Sequence, residues 1–285
     1  MVSSEIKNFG ILGYPVGHSM SPRIYMAAFD AAGFTHYNYI PLQVQSGKLY
    51  FAVEGLKGLG FRGANVTIPH KSTVMSYLDA IDADALIIGA VNTIVNDGGI
   101  LTGYNTDVAG FLAALSEANF LPEDCHAVIL GAGGGARAIL WGLCKRRAEF
   151  ITIGARNPKK ADALAKDFLS YGHVEGFDWD SDEFKEILQT ADILINTTPL
   201  GMFPNVDDMP PVDLKLLPEG ALVYDIIYNP AETKLLKTAR ELGLPTLDGL
   251  SMMLLQGEES YRLFTGELPD LNVMRRALEK GLNLR

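Results

Sequence analysis

The sequence predicts a two-domain α/β protein, and three observations support that fold class. Short apolar runs suited to strands alternate with segments of helical spacing, a pattern typical of sheets covered by helices. At 285 residues, with 48% hydrophobic residues, the chain is long enough for one large domain or two modest domains, each with its own core. A glycine-rich turn typical of nucleotide binding begins only at Gly131, after a boundary turn at 121–124. The residues before it must therefore form a separate domain.

The stretch from His126 to Arg156 reads as strand, glycine turn, helix and second strand. Residues 127–130 predict a strand buried on both faces, and 150–154 predict the second strand. A G-x-G-x-x-A pattern joins the first strand to a helix predicted from Ala136 to about Arg147. The free N–H groups and the positive dipole end of that helix favour a pyrophosphate. We therefore predict a Rossmann-type dinucleotide site rather than a merely structural turn, formed by Gly131, Ala132, Gly133, Gly134, Gly135 and Ala136.

The end of the second predicted strand indicates which dinucleotide binds. An NAD site usually has an acidic residue there for the ribose hydroxyls, whereas this chain has Arg156, with Lys160 just beyond. A guanidinium group suits a 2′-phosphate, because it can form two parallel hydrogen bonds to phosphate oxygens. NADP is therefore the predicted cofactor, held at this point by Arg156, Asn157 and Lys160.

The remaining elements follow from hydrophobic spacing and from turn residues. Ser21 is predicted as the N-cap of a helix, because Pro22 suits a first helical turn. Residues 90–101 predict a hairpin around Asp97-Gly98-Gly99. Further strands are predicted at 9–13, 36–42, 62–68, 192–199 and 221–228, further helices at 47–59, 71–88, 107–118, 159–168, 251–264 and 273–280, and a polar stretch at 172–183.

Composition excludes several classes of protein. The net charge of −10 argues against a nucleic-acid or anionic-membrane surface. Cys125 and Cys144 are too few for a disulfide framework and lack metal-ligand spacing, so they fit a reduced cytoplasm. We see no charged-then-apolar leader and no apolar run near 18 residues. The expected partner is a small molecule, with neither nucleic acid nor membrane, and a homodimer is an open alternative to a monomer.

Polar residues that could take part in catalysis are not persuasive one at a time. Lys71 follows a predicted strand and Pro69, where it could transfer a proton, but an exposed lysine at a helix start is the simpler interpretation. Asp107 at a predicted helix start could be an N-cap. Turn or capping roles would equally explain Ser19, Ser21, Asn65, Thr67 and Asn92.

Together, these residues resemble the shikimate dehydrogenase family over nearly the whole chain. The most specific motifs are Gly13-x-Pro15-x-x-His18-Ser19-x-Ser21-Pro22 and Asn65-Val66-Thr67-x-Pro69-x-Lys71. The others, in the family's order, are Gly89-Ala90-Val91-Asn92-Thr93, Gly103-x-Asn105-Thr106-Asp107, the glycine loop, Asn196-x-Thr198-x-x-Gly201-Met202, Tyr224-Asp225-x-x-Tyr228 and Asp248-Gly249-x-x-Met252-x-x-x-Gln256.

The resemblance implies reversible reduction of 3-dehydroshikimate to shikimate by NADPH, in the path to aromatic amino acids. It implies Lys71 as the acid/base and Asp107 as its partner. It adds Thr198, Ile226, Gly249 and Met252 to the cofactor contacts. The implied substrate contacts are Ser19, Ser21, Asn65, Thr67, Asn92, Tyr228 and Gln256.

The resemblance also implies a domain division, with the active site in a cleft between two domains. Residues 1–106 and 250–285 would form the substrate-binding and catalytic domain, and residues 107–249 would form the NADP-binding domain. Two departures leave an alternative open. Ala155 stands where the family often has Asn, and Gly257-Glu258-Glu259-Ser260-Tyr261 resembles some quinate/shikimate dehydrogenases. The alternative is such an enzyme with NAD or dual cofactor use. A noncatalytic NADP-binding module should have lost Lys71 and Asp107.

Overall fold

A computed structural model describes residues 6–284, and these form two compact units. The first unit extends to Asp107 and resumes at Leu254, and the second unit is Val108–Met253. Residues 1–5 and Arg285, which the predicted first domain includes, lie outside the described residues. Within residues 6–284, no helix is long and apolar enough to cross a bilayer.

Strands and helices alternate along the described chain. Three short 3₁₀ turns, at Ser46–Lys48, Thr73–Tyr77 and Leu214–Leu216, connect some of them. The strands and α-helices are, in chain order, β1 (Lys7–Gly13), α1 (Ser21–Ala31), β2 (Tyr37–Gln43), α2 (Leu49–Gly58), β3 (Phe61–Val66), β4 (Ala80–Ile81), α3 (Ala83–Ile88), β5 (Thr93–Asp97), β6 (Ile100–Tyr104), α4 (Asp107–Glu117), β7 (His126–Leu130), α5 (Gly134–Lys145), β8 (Phe150–Ala155), α6 (Pro158–Phe168), β9 (Val174–Asp178), α7 (Asp182–Leu188), β10 (Ile193–Asn196), β11 (Leu222–Asp225), α8 (Lys234–Glu241), β12 (Thr246–Leu247), α9 (Leu250–Thr265) and α10 (Leu271–Gly281).

The first unit contains a six-stranded sheet in the order β2-β1-β3-β5-β6-β4. β1 runs parallel to β2 and β3, whereas β5 is antiparallel to both β3 and β6. The sheet is therefore mixed rather than purely parallel, because the predicted hairpin forms β5 and β6. Asn65 on β3 pairs with Thr93 on β5, which places these two polar residues side by side in the middle of the sheet.

The second unit contains an all-parallel sheet in the order β12-β11-β10-β7-β8-β9. This order is that of doubly wound nucleotide-binding sheets, and it confirms the Rossmann-type prediction. The strand order reverses between β7 and β10. In such sheets, the crevice that binds ligands opens at this point, at the carboxyl ends of the strands. The glycine turn after β7 lies at this point.

Two predicted segments differ in the structure. The helical material predicted between residues 71 and 88 is present as a 3₁₀ turn and the short α3. The unpredicted β4 lies between them, because Asp79 accepts a hydrogen bond from the Leu101 amide and so ties the segment to β6. The polar stretch 172–183 contains β9 and the start of α7. β9 escapes a hydrophobicity pattern because it is an edge strand. A Cβ at its Gly176 would lie 2.4 Å from the Ala161 backbone, so α6 covers it closely.

The start of α1 corrects one capping prediction. Met20, with φ −81° and ψ −12°, occupies the N-cap position, and Ser21 is already the first helical residue. The Ser21 amide donates instead to Ser19 Oγ, at 3.2 Å. The serine that supports the start of α1 is therefore Ser19, two residues earlier, because short hydroxyl side chains readily accept from nearby backbone amides.

Candidate active site

Lys71 and Asp107 form a close ion pair in the first unit. Lys71 Nζ donates to Asp107 Oδ2 at 2.5 Å, and the two side chains are 21% and 9% exposed. Lys71 lies just beyond β3, where the Val91 amide donates to its carbonyl oxygen at 2.8 Å. Asp107 is the first residue of α4, so its carboxylate lies at the positive end of the helix dipole. A partly buried lysine held by a carboxylate is suited to proton transfer.

Asn92 fixes the orientation of that carboxylate. Its Nδ2 donates to Asp107 Oδ1 at 2.8 Å and to Thr106 Oγ1 at 2.9 Å. Its Oδ1 accepts from the Thr106 amide at 2.8 Å. The two oxygens of Asp107 therefore have different partners, Asn92 on one side and Lys71 on the other. Gln256 Oε1 lies 3.5 Å from Asn92 Nδ2 and 3.4 Å from Thr106 Oγ1, so it borders the same group.

Asn65 lies next to this group and is itself firmly held. Its Oδ1 accepts from the Tyr39 hydroxyl at 2.7 Å, and its Nδ2 lies 3.0 Å from Thr93 Oγ1 and 3.1 Å from Ser260 Oγ. Nδ2 also lies 3.2 Å from the Asn92 carbonyl oxygen. Tyr39 also forms a hydrogen bond with Ser21 and so connects it to Asn65. The structure thus brings together six of the predicted residues: Lys71, Asp107, Asn92, Asn65, Gln256 and Ser21.

Two stacked tyrosines, Tyr25 and Tyr39, lie next to Asn65, and the Tyr39 hydroxyl bonds to its side chain. The rings of Tyr25 and Tyr39 lie parallel with centroids 4.4 Å apart. Burial raises the pKa of Tyr39 well above its ordinary value, neighbouring Tyr25 raises it further, and a hydrogen bond with Ser21 opposes both. Burial likewise raises the pKa of Tyr25. Tyr39 therefore stays a neutral hydroxyl donor and fixes which atom of the Asn65 amide faces it.

The other three predicted substrate residues are Ser19, Thr67 and Tyr228. Ser19 Oγ accepts from the Ser21 amide. Thr67 directly follows β3. Its methyl carbon lies 2.4 Å from the position that a Cβ on Gly13 would take, so only glycine fits at position 13. Tyr228 belongs to the second unit, three residues after β11.

In the second unit, the glycine turn after β7 has the geometry of a phosphate-binding loop. Gly131 has φ +105°, and a Cβ there would lie 2.8 Å from Thr197 Oγ1, so only glycine fits. Gly133 precedes the first residue of α5, and a Cβ on it would meet no atom within 4 Å. The helix starts at Gly134, two residues before the predicted Ala136. The amides of Gly134 and Gly135 therefore belong to its first turn, where N–H groups lack intrahelical partners and can bind an anion.

Residues that follow β10, β11 and β12 surround this turn. The Ile226 side chain lies 3.3 Å from the position of a Cβ on Gly135, and a Cβ on Gly249 would lie 2.3 Å from the Ile226 carbonyl oxygen. Thr198 donates to Asn196 Oδ1 at 2.7 Å, and Asn196 Nδ2 donates to Asp225 Oδ1 at 3.1 Å. Met252 is buried in the first turn of α9.

The end of β8 carries the predicted phosphate site. Arg156 and Lys160 are both exposed there. Asn157 Oδ1 accepts from the Lys159 amide at 3.2 Å, so this side chain caps α6. The open space at Gly133 and the cation at the end of β8 suit a dinucleotide with a 2′-phosphate.

Sequence reasoning missed three buried hydroxyl residues, Thr93, Thr106 and Ser260. Thr93 and Thr106 directly adjoin Asn92 and Asp107 in the motifs, so adjacency could have indicated them. Ser260 lies four residues after Gln256, on the same face of α9. That spacing was a usable signal.

A chain with a Rossmann-type sheet in one unit and a candidate proton-transfer pair in the other is typical of dinucleotide-dependent dehydrogenases. The comparisons with known proteins give the particular family. Three family models match: the shikimate dehydrogenase substrate binding domain over residues 11–94, shikimate / quinate 5-dehydrogenase over 114–200, and the shikimate 5′-dehydrogenase C-terminal domain over 249–279. The chain belongs to the shikimate dehydrogenase family.

Individual relatives resemble the chain over almost its entire length. A shikimate dehydrogenase (NADP(+)) from Methanothermobacter thermautotrophicus is 44% identical over 99% of both chains. A crystal structure of a shikimate dehydrogenase in complex with NADP+ has a TM-score of 0.90 at 40% identity, covering 99% of this chain and 98% of that one. A Thermus thermophilus enzyme in complex with NADP(H) and shikimate has a TM-score of 0.87 at 32% identity, covering 97% and 100%.

Proposed function

We propose that this chain is an NADP-dependent shikimate dehydrogenase, which reversibly reduces 3-dehydroshikimate to shikimate. The observation that carries the proposal is the Lys71–Asp107 pair, oriented by Asn92, in a chain of this family. The homologues that resemble the chain at 40–44% identity over their full length are named as NADP-dependent enzymes, which supports NADP rather than the dual-cofactor alternative.

The pair supplies proton transfer. Bound NADPH would supply the hydride. Lys71 donates a proton to the ketone oxygen as it becomes a hydroxyl, and accepts that proton in the reverse direction. Asp107 keeps the ammonium of Lys71 directed at the reacting oxygen, and it can accept a hydrogen bond from a substrate hydroxyl.

The substrate contacts divide by chemistry. Hydroxyls can donate to a carboxylate without a positive patch, so we assign Ser19, Ser21 and Tyr228 to the carboxylate of shikimate. Amides and hydroxyls that can both donate and accept suit a ring with several hydroxyls. We assign Asn65, Thr67, Asn92 and Gln256 to that ring.

We assign substrate binding and NADP binding to different parts of the chain. Residues 1–106 and 250–285, which include Lys71, would bind the substrate, and residues 107–249 would bind NADP. Asp107, the first residue of the second range, would pair with Lys71. The cofactor residues would be the glycine turn 131–136, Arg156, Asn157, Lys160, Thr198, Ile226, Gly249 and Met252. A cytoplasmic location stays a prediction of the sequence, and a homodimer stays an open alternative to a monomer.

A spectrophotometric assay at a wavelength of about 340 nm, where reduced nicotinamide absorbs, tests the proposal. Shikimate and quinate are each offered with NADP and with NAD. We expect the highest kcat/KM with shikimate and NADP. Equal or higher kcat/KM with quinate or with NAD would favour the quinate/shikimate alternative, and no turnover with any pair would overturn the proposed function.

A further inference from the structure

Ser260 is fully buried in α9, and its hydroxyl contacts polar groups from three other parts of the first unit. Its Oγ lies 2.8 Å from Thr93 Oγ1, 3.0 Å from Thr106 Oγ1 and 3.1 Å from Asn65 Nδ2. It also donates to the Gln256 carbonyl oxygen at 3.0 Å. A hydroxyl in a helix interior gains nothing for helix formation over alanine, and its burial costs free energy unless it is bonded. Its value must lie in these contacts.

We call Thr93, Thr106 and Ser260 the hydroxyl cluster. One assignment of hydrogens satisfies all three members. Ser260 shares its one hydrogen between Thr93 Oγ1 and the Gln256 carbonyl oxygen, and it accepts from Asn65 Nδ2 and from Thr106. Thr93 accepts from Asn65 Nδ2 and donates to Asn92 Oδ1.

The cluster decides how Asn92 is held. A hydroxyl has one hydrogen and two lone pairs, so when Thr106 directs its hydrogen to Ser260, a lone pair faces Asn92 Nδ2 and accepts from it. Asn92 can then donate its second amide hydrogen to Asp107 Oδ1. Without Ser260 Oγ, Thr106 can turn its hydrogen toward Asn92 Oδ1, 3.3 Å away, and Asn65 Nδ2 loses an acceptor. The amide that orients Asp107 would then be less firmly fixed.

We propose that Ser260, acting through the hydroxyl cluster and Asn92, is a positioning residue for the Lys71–Asp107 pair. The proposal rests on the proposed function and extends it to a residue that contacts neither Lys71 nor Asp107. It makes the hydroxyl side chain at this position of α9 a determinant of turnover.

Kinetics of Ser260→Ala test the proposal, with Thr265→Val as the matched control. Thr265 lies in the same helix and makes the same kind of bond, to the Tyr261 carbonyl oxygen at 2.8 Å. We expect kcat with shikimate to fall about tenfold in Ser260→Ala, while the KM for NADP stays within about twofold. Thr265→Val should keep the wild-type kcat.

A second variant separates positioning from general loss of packing. Thr106→Val removes a hydroxyl from the same cluster at nearly constant volume, and it also serves if Ser260→Ala does not fold. Because both hydroxyls act through Asn92, the double variant should lose no more than about threefold beyond the worse single variant. Losses in kcat that multiply would contradict the proposal.

An activity-independent measurement distinguishes failure of this proposal from failure of the proposed function. The ¹H–¹⁵N signals of the Asn65 and Asn92 side-chain amides should shift in Ser260→Ala and stay in place in Thr265→Val. Wild-type protein inactive with shikimate and NADP would overturn the proposed function, and these signals would still report on positioning. Asn92 signals that do not move in Ser260→Ala overturn the positioning role, whatever the kcat.

Discussion

The ammonium of Lys71 contacts one carboxylate oxygen of Asp107, and the other oxygen of that carboxylate is taken by Asn92. Lys71 is therefore oriented by the carboxylate of Asp107, and Asn92 fixes the orientation of that carboxylate. Lys71→Ala should lower kcat by ~10²–10⁴-fold, the usual contribution of a positioned proton-transfer group, and change shikimate binding much less.

A second lysine–aspartate pair in the same unit serves as the control. Lys57 Nζ lies 2.9 Å from Asp79 Oδ2, away from the candidate site. Lys57→Ala should keep the wild-type kcat. Steady-state kinetics of Lys71→Ala and Lys57→Ala, which give kcat and the KM for shikimate, test this prediction. A Lys71→Ala enzyme with normal kcat and a raised KM would show that Lys71 only binds substrate.

Ser19 should affect both stability and substrate choice. Its Oγ accepts from the Ser21 amide, so Ser19→Ala should lower the free energy of unfolding by about 1 kcal/mol. If Ser19 also donates to the substrate carboxylate, the variant should lose roughly 1.5–3 kcal/mol of shikimate binding. An analogue with an amide in place of the carboxylate should be affected less. Equal losses for both ligands would exclude carboxylate recognition by Ser19.

Two glycines of the same turn should respond differently to an added methyl group. Gly131→Ala places a side chain at φ +105° and 2.8 Å from Thr197 Oγ1, so it should destabilise the fold by at least about 1 kcal/mol. Gly133→Ala adds a methyl in open space, so it should leave the thermal midpoint unchanged and weaken NADP binding. Calorimetric titration with NADP and thermal melts measure the two effects. Undiminished NADP affinity in Gly133→Ala would remove this turn from the cofactor site.

Arg156 should select the cofactor. Arg156→Ala should lose roughly 1.5–3 kcal/mol of transition-state stabilisation with NADP, or about ten- to a hundredfold in kcat/KM, and little with NAD. Lys166→Ala is the matched control, because Lys166 is an exposed cation on α6 that pairs with Asp162. High ionic strength should narrow the NADP advantage, since Arg156 is exposed. Equal losses with both cofactors would mean that Arg156 does not read the phosphate.

Asp225 should make stability depend on pH. Burial raises the pKa of its carboxyl to about 6, although hydrogen bonds from Thr233, the Ile227 amide and Asn196 act in the opposite direction. The folded protein therefore holds this proton more tightly than the unfolded chain, whose aspartate pKa is about 4. The stabilisation is complete below about pH 4 and is lost as pH rises through about 6.

Asp225→Asn should remove that contribution, which is on the order of 2 kcal/mol. An amide can still accept from the Ile227 amide and from Asn196, so the fold should survive. Thermal midpoints measured between pH 4 and pH 7 should fall less steeply for Asp225→Asn than for the wild type. The exposed Asp180→Asn variant should follow the wild type. If the thermal midpoint changed with pH in the same way in the wild type and in Asp225→Asn, the pKa of Asp225 would be the same in the folded and unfolded states.

The predictions that succeeded from sequence rest on local patterns. A strand, a glycine turn and a helix follow one another in residues 126–147, so the steric need for Gly131 and the helix dipole are set by neighbours in the chain. The hairpin of β5 and β6 is local in the same way. Motifs that contain Lys71, Asn92 and Asp107 carried the family resemblance, which the comparisons confirm, and the catalytic role of Lys71 and Asp107 stays a prediction.

Other features depend on residues far apart in sequence. β9 exists because β8 and α6 supply its hydrogen bonds and cover, which no pattern in 172–183 contains. Ser260 joins Asn65 and Thr93 across 195 and 167 residues, and Tyr39 fixes the Asn65 amide across 26. The sequence by itself determined the family and the candidate site residues, because the types of those residues and their local spacing can be read from the motifs. Only the tertiary structure decided which polar atoms share hydrogens, because each hydroxyl can donate only once and its partner is set by whichever strands and helices pack beside it.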